Sequence, residues 1–287
     1  MLEILQDTII DSVKLLPFLF ITYLIMEYIE HKMQKHTHKA IQKAGKWGPA
    51  IGGLVGILPQ CGFSVAATNF YAARIITIGT LMAVYLATSD EMLPIFLSEA
   101  VPMEIIAKIL FVKLSIAILV GFGIDAIFRK MHKEKEEEII KDLCEDEHCH
   151  CEHGIIKSSL KHTIHIFIFI LIISFILHLV VHFIGEENVS NLAQSNPILA
   201  PIICCILGLI PNCASSVILT QLFLEGVIPV ASMLGGLLVN AGVGLAVLFR
   251  VNKDVKQNLK IVGILFLVGI VSTYVLQTIG IQNWIKY

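Results

Sequence analysis

A short motif that could bind a soft metal or metalloid occurs twice in this chain, 152 positions apart. Thiols bind thiophilic solutes such as As(III) or a d10 metal, and carboxamides coordinate hard cations, donate to oxyanions or tie an irregular backbone. The motif therefore predicts a substrate site; the alternative is that its cysteines are small apolar residues filling tight turns. The predicted substrate-binding residues are Gln60, Cys61 and Ser64 in the first copy, and Asn212, Cys213 and Ser216 in the second.

Two adjacent carboxylates in an apolar stretch are the strongest single signal of function. Asp90 and Glu91 lie about eight residues inside the predicted outer end of a span, roughly 12 Å deep at the rise of an α-helix. Ionisable groups at such depth are costly and usually functional. Lys113 lies at similar depth in the next, antiparallel span. We predict that Asp90 and Glu91 carry a proton or bind a cation, with Lys113 as counter-ion; a structural ion pair is the alternative.

A charged loop concentrates sulfur and nitrogen ligands between the two halves of the chain. Dense Cys/His tracts commonly bind metals, although this spacing is not a regular tetrahedral zinc pattern. We predict that the loop binds thiophilic or borderline cations in the cytoplasm, for capture, sensing or regulation; a solvated acidic linker is the alternative. A disulfide framework does not fit a cytoplasmic loop of a membrane chain. The predicted metal ligands are Cys144, His148, Cys149, His150, Cys151 and His153.

The composition indicates a polytopic membrane protein. Apolar residues make up 56% and charged residues 15% of the 287 positions, and the mean hydropathy is +0.79. Soluble domains are closer to half apolar and a quarter charged. Each copy of the motif lies in one of two mixed regions, about 48–98 and 197–250. Around them, four apolar stretches reach the roughly 20 residues that a bilayer requires: about 8–29, 105–128, 162–184 and 260–280.

The placement of lysine and arginine gives the orientation of these segments. Basic residues are concentrated in 30–47, 129–161 and 250–260, which we predict to be cytoplasmic. The connections 98–104 and 185–196 contain glutamates and no basic residue, and we predict them to be outside. The two halves then cross the membrane in opposite directions, and both termini lie outside.

Each mixed region is too long for one span and too short for three, so we predict a re-entrant hairpin followed by one span, through 75–97 and 227–249. Irregular backbone at membrane depth must be buried in protein or line a cavity, so the two hairpin tips should face each other near the midplane. The predicted fold is an all-α integral membrane protein with two inverted-topology repeats, about six full spans plus two re-entrant hairpins, or ten apolar segments. Its predicted parts are a first membrane repeat at 1–128, the Cys/His-rich loop at 129–161 and a second, inverted repeat at 162–287.

The two motifs of the first half resemble those of a known family. Gly-x-x-Pro-Gln-Cys-Gly-Phe-Ser at 56–64, followed by Ala-Thr-Ser-Asp-Glu at 87–91 and by Pro94, is similar to the ten-span heavy-metal exporters. Members of that family are described as arsenic efflux permeases or manganese transporters. The similarity runs from about residue 10 to 280 and implies export of a metal or metalloid rather than one particular ion. The second copy departs from the motif, with Asn212 for Gln60, so the two tips need not bind alike.

These features together predict a secondary transporter in a bacterial or archaeal cytoplasmic membrane. It would export a toxic metal or metalloid, coupled to proton entry, with the lipid bilayer and the solute as partners and a homo-oligomer left open. No phosphate loop or hydrolase motif is present, so we predict neither an enzyme nor a resident cofactor, and no nucleic-acid partner. The alternatives are a Mn(II) exporter with carboxylate and carboxamide ligands, an exporter of organic solutes, and a membrane metal sensor that transports nothing.

Overall fold

The computed structural model of this chain describes residues 47–58, 62–89, 91–131 and 199–285, together with single helical residues in two further segments. Among the described residues, every regular element is α-helical, which confirms the all-α prediction for this part of the chain. The single residues are Val13, Leu16, Pro17, Phe20, Ile21, Leu24, Leu160, Thr163, Ile164, Phe167, Ile168, Leu171 and Ile172.

The described helices occur in the same order in both halves. Matched helices begin within one residue of the 152-position offset of the sequence motif, so the repeat extends to the element order. The first half contains α1 Gly48–Gly56, α2 Gly62–Ala72, α3 Ile78–Ala87, α4 Met92–Ser98 and α5 Met103–Met131. The second half contains α6 Ala200–Gly208, α7 Cys213–Leu224, α8 Val230–Val239, α9 Val243–Val251 and α10 Val255–Ile279, and the short α11 Ile281–Trp284 follows.

Prolines and capping side chains fix where several of these helices begin. Pro49 and Pro201 lie in the first turns of α1 and α6, where a missing N–H costs nothing. The side chains of Thr77 and Asp254 accept backbone N–H groups at the starts of α3 and α10. Gly280, at φ 74°, ends α10 in the left-handed conformation that glycine adopts most readily.

The predicted span 227–249 coincides with a stretch that is long and apolar enough to cross a membrane, Val230–Val251, and this stretch is broken in its middle. Helix α8 ends at Val239 and α9 begins at Val243. Between them the Gly242 N–H donates to the side-chain oxygen of Asn240 at 2.9 Å, and Gly242 has φ 55°. An asparagine side chain that bonds to the backbone two residues ahead competes with helical hydrogen bonding, and glycine permits the required turn.

The predicted span 75–97 is broken at the matching place. Helix α3 ends at Ala87 and α4 begins at Met92. The Ser89 hydroxyl donates to the carbonyl of Ala87 at 3.1 Å, so a side chain again bonds to local backbone. Pro94 lies three residues into α4 and has no N–H with which to extend a helix from before the break.

The broken spans lie inside the molecule and the long continuous helices lie at its periphery. Four described stretches are long and apolar enough to cross a membrane. In the broken ones, Ile78–Ser98 and Val230–Val251, 71% and 94% of the apolar stretch is buried, against 33% in Met103–Phe128 and 28% in Val255–Ile279. Large apolar side chains on α5 and α10 are exposed, as expected of faces that contact hydrocarbon. They include Phe111, Leu119, Ile127, Leu267, Val271 and Ile279.

The two halves contact each other through their short helices, each of which packs against a short helix of the other half. Helix α2 of the first half packs on α9 of the second, and α7 of the second half packs on α4 of the first. In the centre α3 contacts α8, and these two helices also contact α10 and α5 of the opposite half. Each of these contacts has a counterpart with the halves exchanged, which is the pattern that a pseudo-two-fold relation produces. Inversion across the membrane and re-entry of the hairpins remain predictions.

Candidate functional site

The described part of the chain contains some of the predicted site residues and leaves others out. Lying outside it are Gln60, Cys61, Asp90, Cys144, His148, Cys149, His150, Cys151 and His153. The structure describes Ser64, Asn212, Ser216, Glu91 and Lys113 with their side chains, and the backbone of Cys213.

Lys113 joins the first helix break to the second half of the molecule. It lies on α5 and its side chain is 0% exposed. Its ammonium donates to the carbonyl oxygen of Thr88, the residue that follows α3, and to that of Leu237 in α8, with an Nζ–O distance of 3.2 Å for the latter. A charge buried in an apolar interior requires partners of this kind. The two carbonyls are therefore held within reach of one ammonium group.

Glu91 lies at the far side of the same break. It is the N-cap residue of α4 and is half-buried, with φ −81° and ψ −10°. A carboxylate at a helix N-terminus interacts favourably with the helix dipole. The described part of this break thus offers a carbonyl held by Lys113 and, three residues later, a carboxylate. Pairing of Lys113 with Asp90 or Glu91 stays a prediction.

The first half of the chain is hydrogen-bonded to the second half through two buried hydroxyl groups, one on α2 and one on α3. The Thr68 Oγ1 atom of α2 lies 2.7 Å from Ser64 O and 3.1 Å from Gly244 O of α9. The Tyr85 hydroxyl of α3 donates to the same Gly244 carbonyl at 3.1 Å. A Cβ on Gly244 would lie 2.8 Å from the Ser64 hydroxyl, so the close approach of α2 and α9 requires glycine there. Ser64 is therefore part of the contact between halves.

Helix α7 follows a turn at residues 210–212, the predicted second tip, whose polar groups mostly bond to one another. The Asn212 side-chain oxygen accepts the Ala214 N–H and caps α7. The Ser215 hydroxyl lies 2.7 Å from Asn212 O and 3.1 Å from Ile210 O, and the Asn212 N–H donates to Ile210 O at 2.7 Å. The amide nitrogen of Asn212 is buried and finds no hydrogen-bond partner among the described residues. The side chain of Asn212 thus carries a hydrogen-bond donor that no described residue accepts.

The contacts between the halves differ chemically although their positions match. Thr220, which corresponds to Thr68, donates to Ser216 O at 2.7 Å within its own helix. Leu237 stands where the first half has Tyr85. Helices α7 and α4 meet through the rings of Phe223 and Phe96, whose centroids are 6.1 Å apart. One contact is polar and the other is largely apolar.

A buried carboxylate that sequence reasoning missed holds the start of α3. Asp125 of α5 is 6% exposed and accepts the Thr77 hydroxyl at 2.7 Å and the Gly79 N–H at 2.9 Å. The signal was an acidic residue within an apolar stretch. Asp90 shares this signal, but Asp125 lies closer to the end of its predicted span, 105–128. Asp125 fixes the entry to the broken span rather than its middle.

Two adjacent cysteines of α6 are packing residues. Cys204 and Cys205 are free and almost fully buried, and they belong to different apolar clusters of the core. The described residues contain no group of three or more His, Cys, Asp or Glu side chains that could hold a metal ion. The predicted Cys/His ligands lie outside these residues.

Comparison with known proteins gives one match. A family model described as "Putative, 10TM heavy-metal exporter" matches residues 1–168 and 129–252 of the chain. No curated protein and no solved structure matches. The family match covers both copies of the motif and both helix breaks.

Proposed function

Since the chain belongs to this family of heavy-metal exporters, we propose that it is a secondary transporter that moves a thiophilic, arsenite-like metal or metalloid out of the cytoplasm. The multiple apolar helices and the family together make it a membrane protein. Export is coupled to proton entry in this proposal, and the two halves are inverted with respect to the membrane.

The observation that carries the proposal is the pair of broken helices in the buried centre. Discontinuous helices at corresponding positions of two repeats are the usual setting of substrate and ion sites in secondary transporters, since unwound backbone supplies polar groups at membrane depth. Here the breaks after Ala87 and Val239 lie at matched positions. The ammonium of Lys113 bonds to Thr88 O at the first break and to Leu237 O, two residues before the end of α8. A charged group at such a place supports transport over a purely structural role.

The proposed cycle uses residues from both tips and from the first break. The solute enters from the cytoplasm and meets Cys61 and Cys213, with Gln60 and Asn212 beside them. Protonation of Asp90 or Glu91 from outside then releases the solute, as one half rocks against the other. The second break cannot supply this step, because Gly242 and Val243 stand at the positions of the two carboxylates.

The substrate and the thiols are tested by uptake into everted membrane vesicles. Arsenite and Mn(II) are compared in the wild type and in Cys61→Ser/Cys213→Ser. We expect arsenite uptake by the wild type and at least a tenfold loss in the double variant. Cys204→Ser/Cys205→Ser is the matched control, because it removes two buried thiols that pack in the core; it should retain most of the uptake. Mn(II) uptake that survives loss of the tip thiols would replace the thiol mechanism by one with oxygen ligands.

The coupling group is tested by Asp90→Asn/Glu91→Gln in the same vesicles. We expect arsenite uptake to lose its dependence on an imposed proton gradient. Glu99→Gln/Glu104→Gln is the control, since both of these glutamates are exposed. Unchanged gradient dependence in the Asp90/Glu91 variant would remove the coupling claim and leave transport itself in place.

A further inference from the structure

The amide nitrogen of Asn212 is a hydrogen-bond donor buried at the tip that begins α7. Asn212 is 2% exposed, and its Nδ2 has no hydrogen-bond partner among the described residues. A buried donor left unmatched destabilises the folded protein. Such a group inside a native protein calls for a partner, and the described residues do not provide one.

The orientation of this amide follows from the backbone next to it. The Oδ1 atom accepts the Ala214 N–H at 3.4 Å. Rotating the amide by half a turn would place its NH2 group against that N–H, so that two donors would face each other. The nearby carbonyls of Ile210 and Asn212 already accept the Ser215 hydroxyl. The unmatched atom of the Asn212 side chain is therefore a donor rather than an acceptor.

Capping of α7 does not require an amide. Serine and aspartate cap helices about as well as asparagine and offer no NH2 group. The amide of Asn212 thus adds only its unmatched donor, and that donor lies beside the positive end of a helix dipole. Both features attract lone pairs or negative charge and repel a bare cation.

We propose that Asn212 Nδ2 donates a hydrogen bond to an oxygen atom of the transported solute, so that this tip selects a hydroxylated metalloid or an oxyanion over a bare divalent cation. The inference rests on the proposed transport function and narrows its substrate class. Neutral arsenous acid, which carries three hydroxyl groups around a thiophilic centre, has the required chemistry.

The first test compares arsenite uptake by everted vesicles containing wild type, Asn212→Asp or Asn212→Ser. Both variants keep a cap for α7 and remove the amide donor. We expect each to lower arsenite uptake at least tenfold. Asn69→Ser is the matched control: Asn69 is another buried asparagine, but its amide donates to Val65 O at 3.0 Å within α2, and it should retain at least half of the uptake. Thermal unfolding in detergent checks that every variant is folded.

A second measurement needs no variant. Arsenite uptake by the wild type is measured in the presence of excess antimonite, a hydroxylated metalloid, or excess Cd(II), a thiophilic bare cation. Uptake of the added ion is measured as well. We expect antimonite to compete and to be transported, and we expect Cd(II), even where it binds the tip thiols, not to be transported. Cd(II) uptake as fast as antimonite uptake, or wild-type uptake in folded Asn212→Ser, would overturn the inference while arsenite export stood. Absence of arsenite uptake by the wild type would instead overturn the proposed function together with the inference.

Discussion

At the scale of single residues, Lys113 is the group whose removal should have the largest effect. Its ammonium is buried and bonds to Thr88 O and Leu237 O. Lys113→Met keeps an unbranched chain of similar length but leaves two buried carbonyls without this donor. We expect a loss of stability of about 1–3 kcal/mol, together with loss of transport.

Thermal unfolding in detergent and vesicle uptake of arsenite measure the two effects of Lys113→Met. The control is Lys108→Met on the same helix. Lys108 forms an ion pair with Glu104 at 2.7 Å at the edge of the molecule, and such pairs contribute about 0–1 kcal/mol. Equal behaviour of the two variants would show that the bridge at the first break has no special role.

Among single residues, the sequence indicated which side chains would have a role, but it did not indicate the atoms to which they bond. Lys113 was singled out because a charge in an apolar span demands a role, and the structure buries it completely. Its carbonyl partners could not be predicted, because they are backbone atoms exposed only where helices break. Tyr85 was not predicted to have a role, because a tyrosine within an apolar run is typical of a buried packing residue. The role of its hydroxyl follows only from the hydrogen bond to Gly244 O of the other half.

At the scale of helices, the polar contact between α2 and α9 can be compared with its counterpart between α7 and α4. Thr68→Val is isosteric and removes a hydroxyl that lies within hydrogen-bonding distance of Gly244 O in the other half. Thr220→Val removes one that donates within its own helix. Hydrogen bonds between membrane helices contribute about 0.6 kcal/mol on average and up to about 1.7.

We expect Thr68→Val to lower the free energy of unfolding by about 0.6–1.7 kcal/mol, and Thr220→Val to change it by less. Urea or SDS titration of the purified protein measures both. Equal losses in the two variants would contradict the difference between the two contacts that the structure shows.

Close packing of α5 against α1 and α3 predicts opposite outcomes for two neighbouring glycines. A Cβ on Gly121 would lie 2.7 Å from Gly79 O and 2.8 Å from Pro49 Cβ, whereas one on Gly123 would meet nothing within 4 Å. Gly121→Ala should cost about 1–3 kcal/mol through overpacking. Gly123→Ala should be neutral or stabilise by up to about 1 kcal/mol through helix propensity. Comparison of their unfolding temperatures measures the difference, and similar temperatures would mean that α5 can move away from α1.

The element order was largely predictable and the helix breaks were not. Hydrophobic length predicted α5 and α10 to within about five residues at each end. The breaks after Ala87 and Val239 were not predicted, because hydropathy averages over the few residues that form a turn. The signals were local: Ser89 before Asp90 and Pro94, and Asn240 before Gly242.

At the scale of the whole molecule, the predicted inverted arrangement and orientation specify which connections a reagent outside the cell can reach. Glu99→Cys lies in a predicted outer connection and Lys253→Cys in a predicted inner one. A membrane-impermeant maleimide should label Glu99→Cys in intact cells and Lys253→Cys only after permeabilisation. The native Cys144 is in a predicted inner loop and serves as an internal control. Labelling of Glu99→Cys and Lys253→Cys alike in intact cells would contradict the inverted topology, and labelling of Lys253→Cys alone would contradict only the predicted orientation.

The two halves share an architecture but differ in composition at its centre, and this has a consequence for the resting protein. Lys113 and Tyr85 are replaced by leucines, and Asp90 by glycine, at the corresponding positions of the second half. Identical inverted halves would give inward-open and outward-open forms of equal free energy, populated equally at rest. Unequal halves remove that degeneracy. We therefore expect the proposed inverted transporter, when idle, to favour one of these two forms, so that solute binding and protonation would act on an unequal equilibrium.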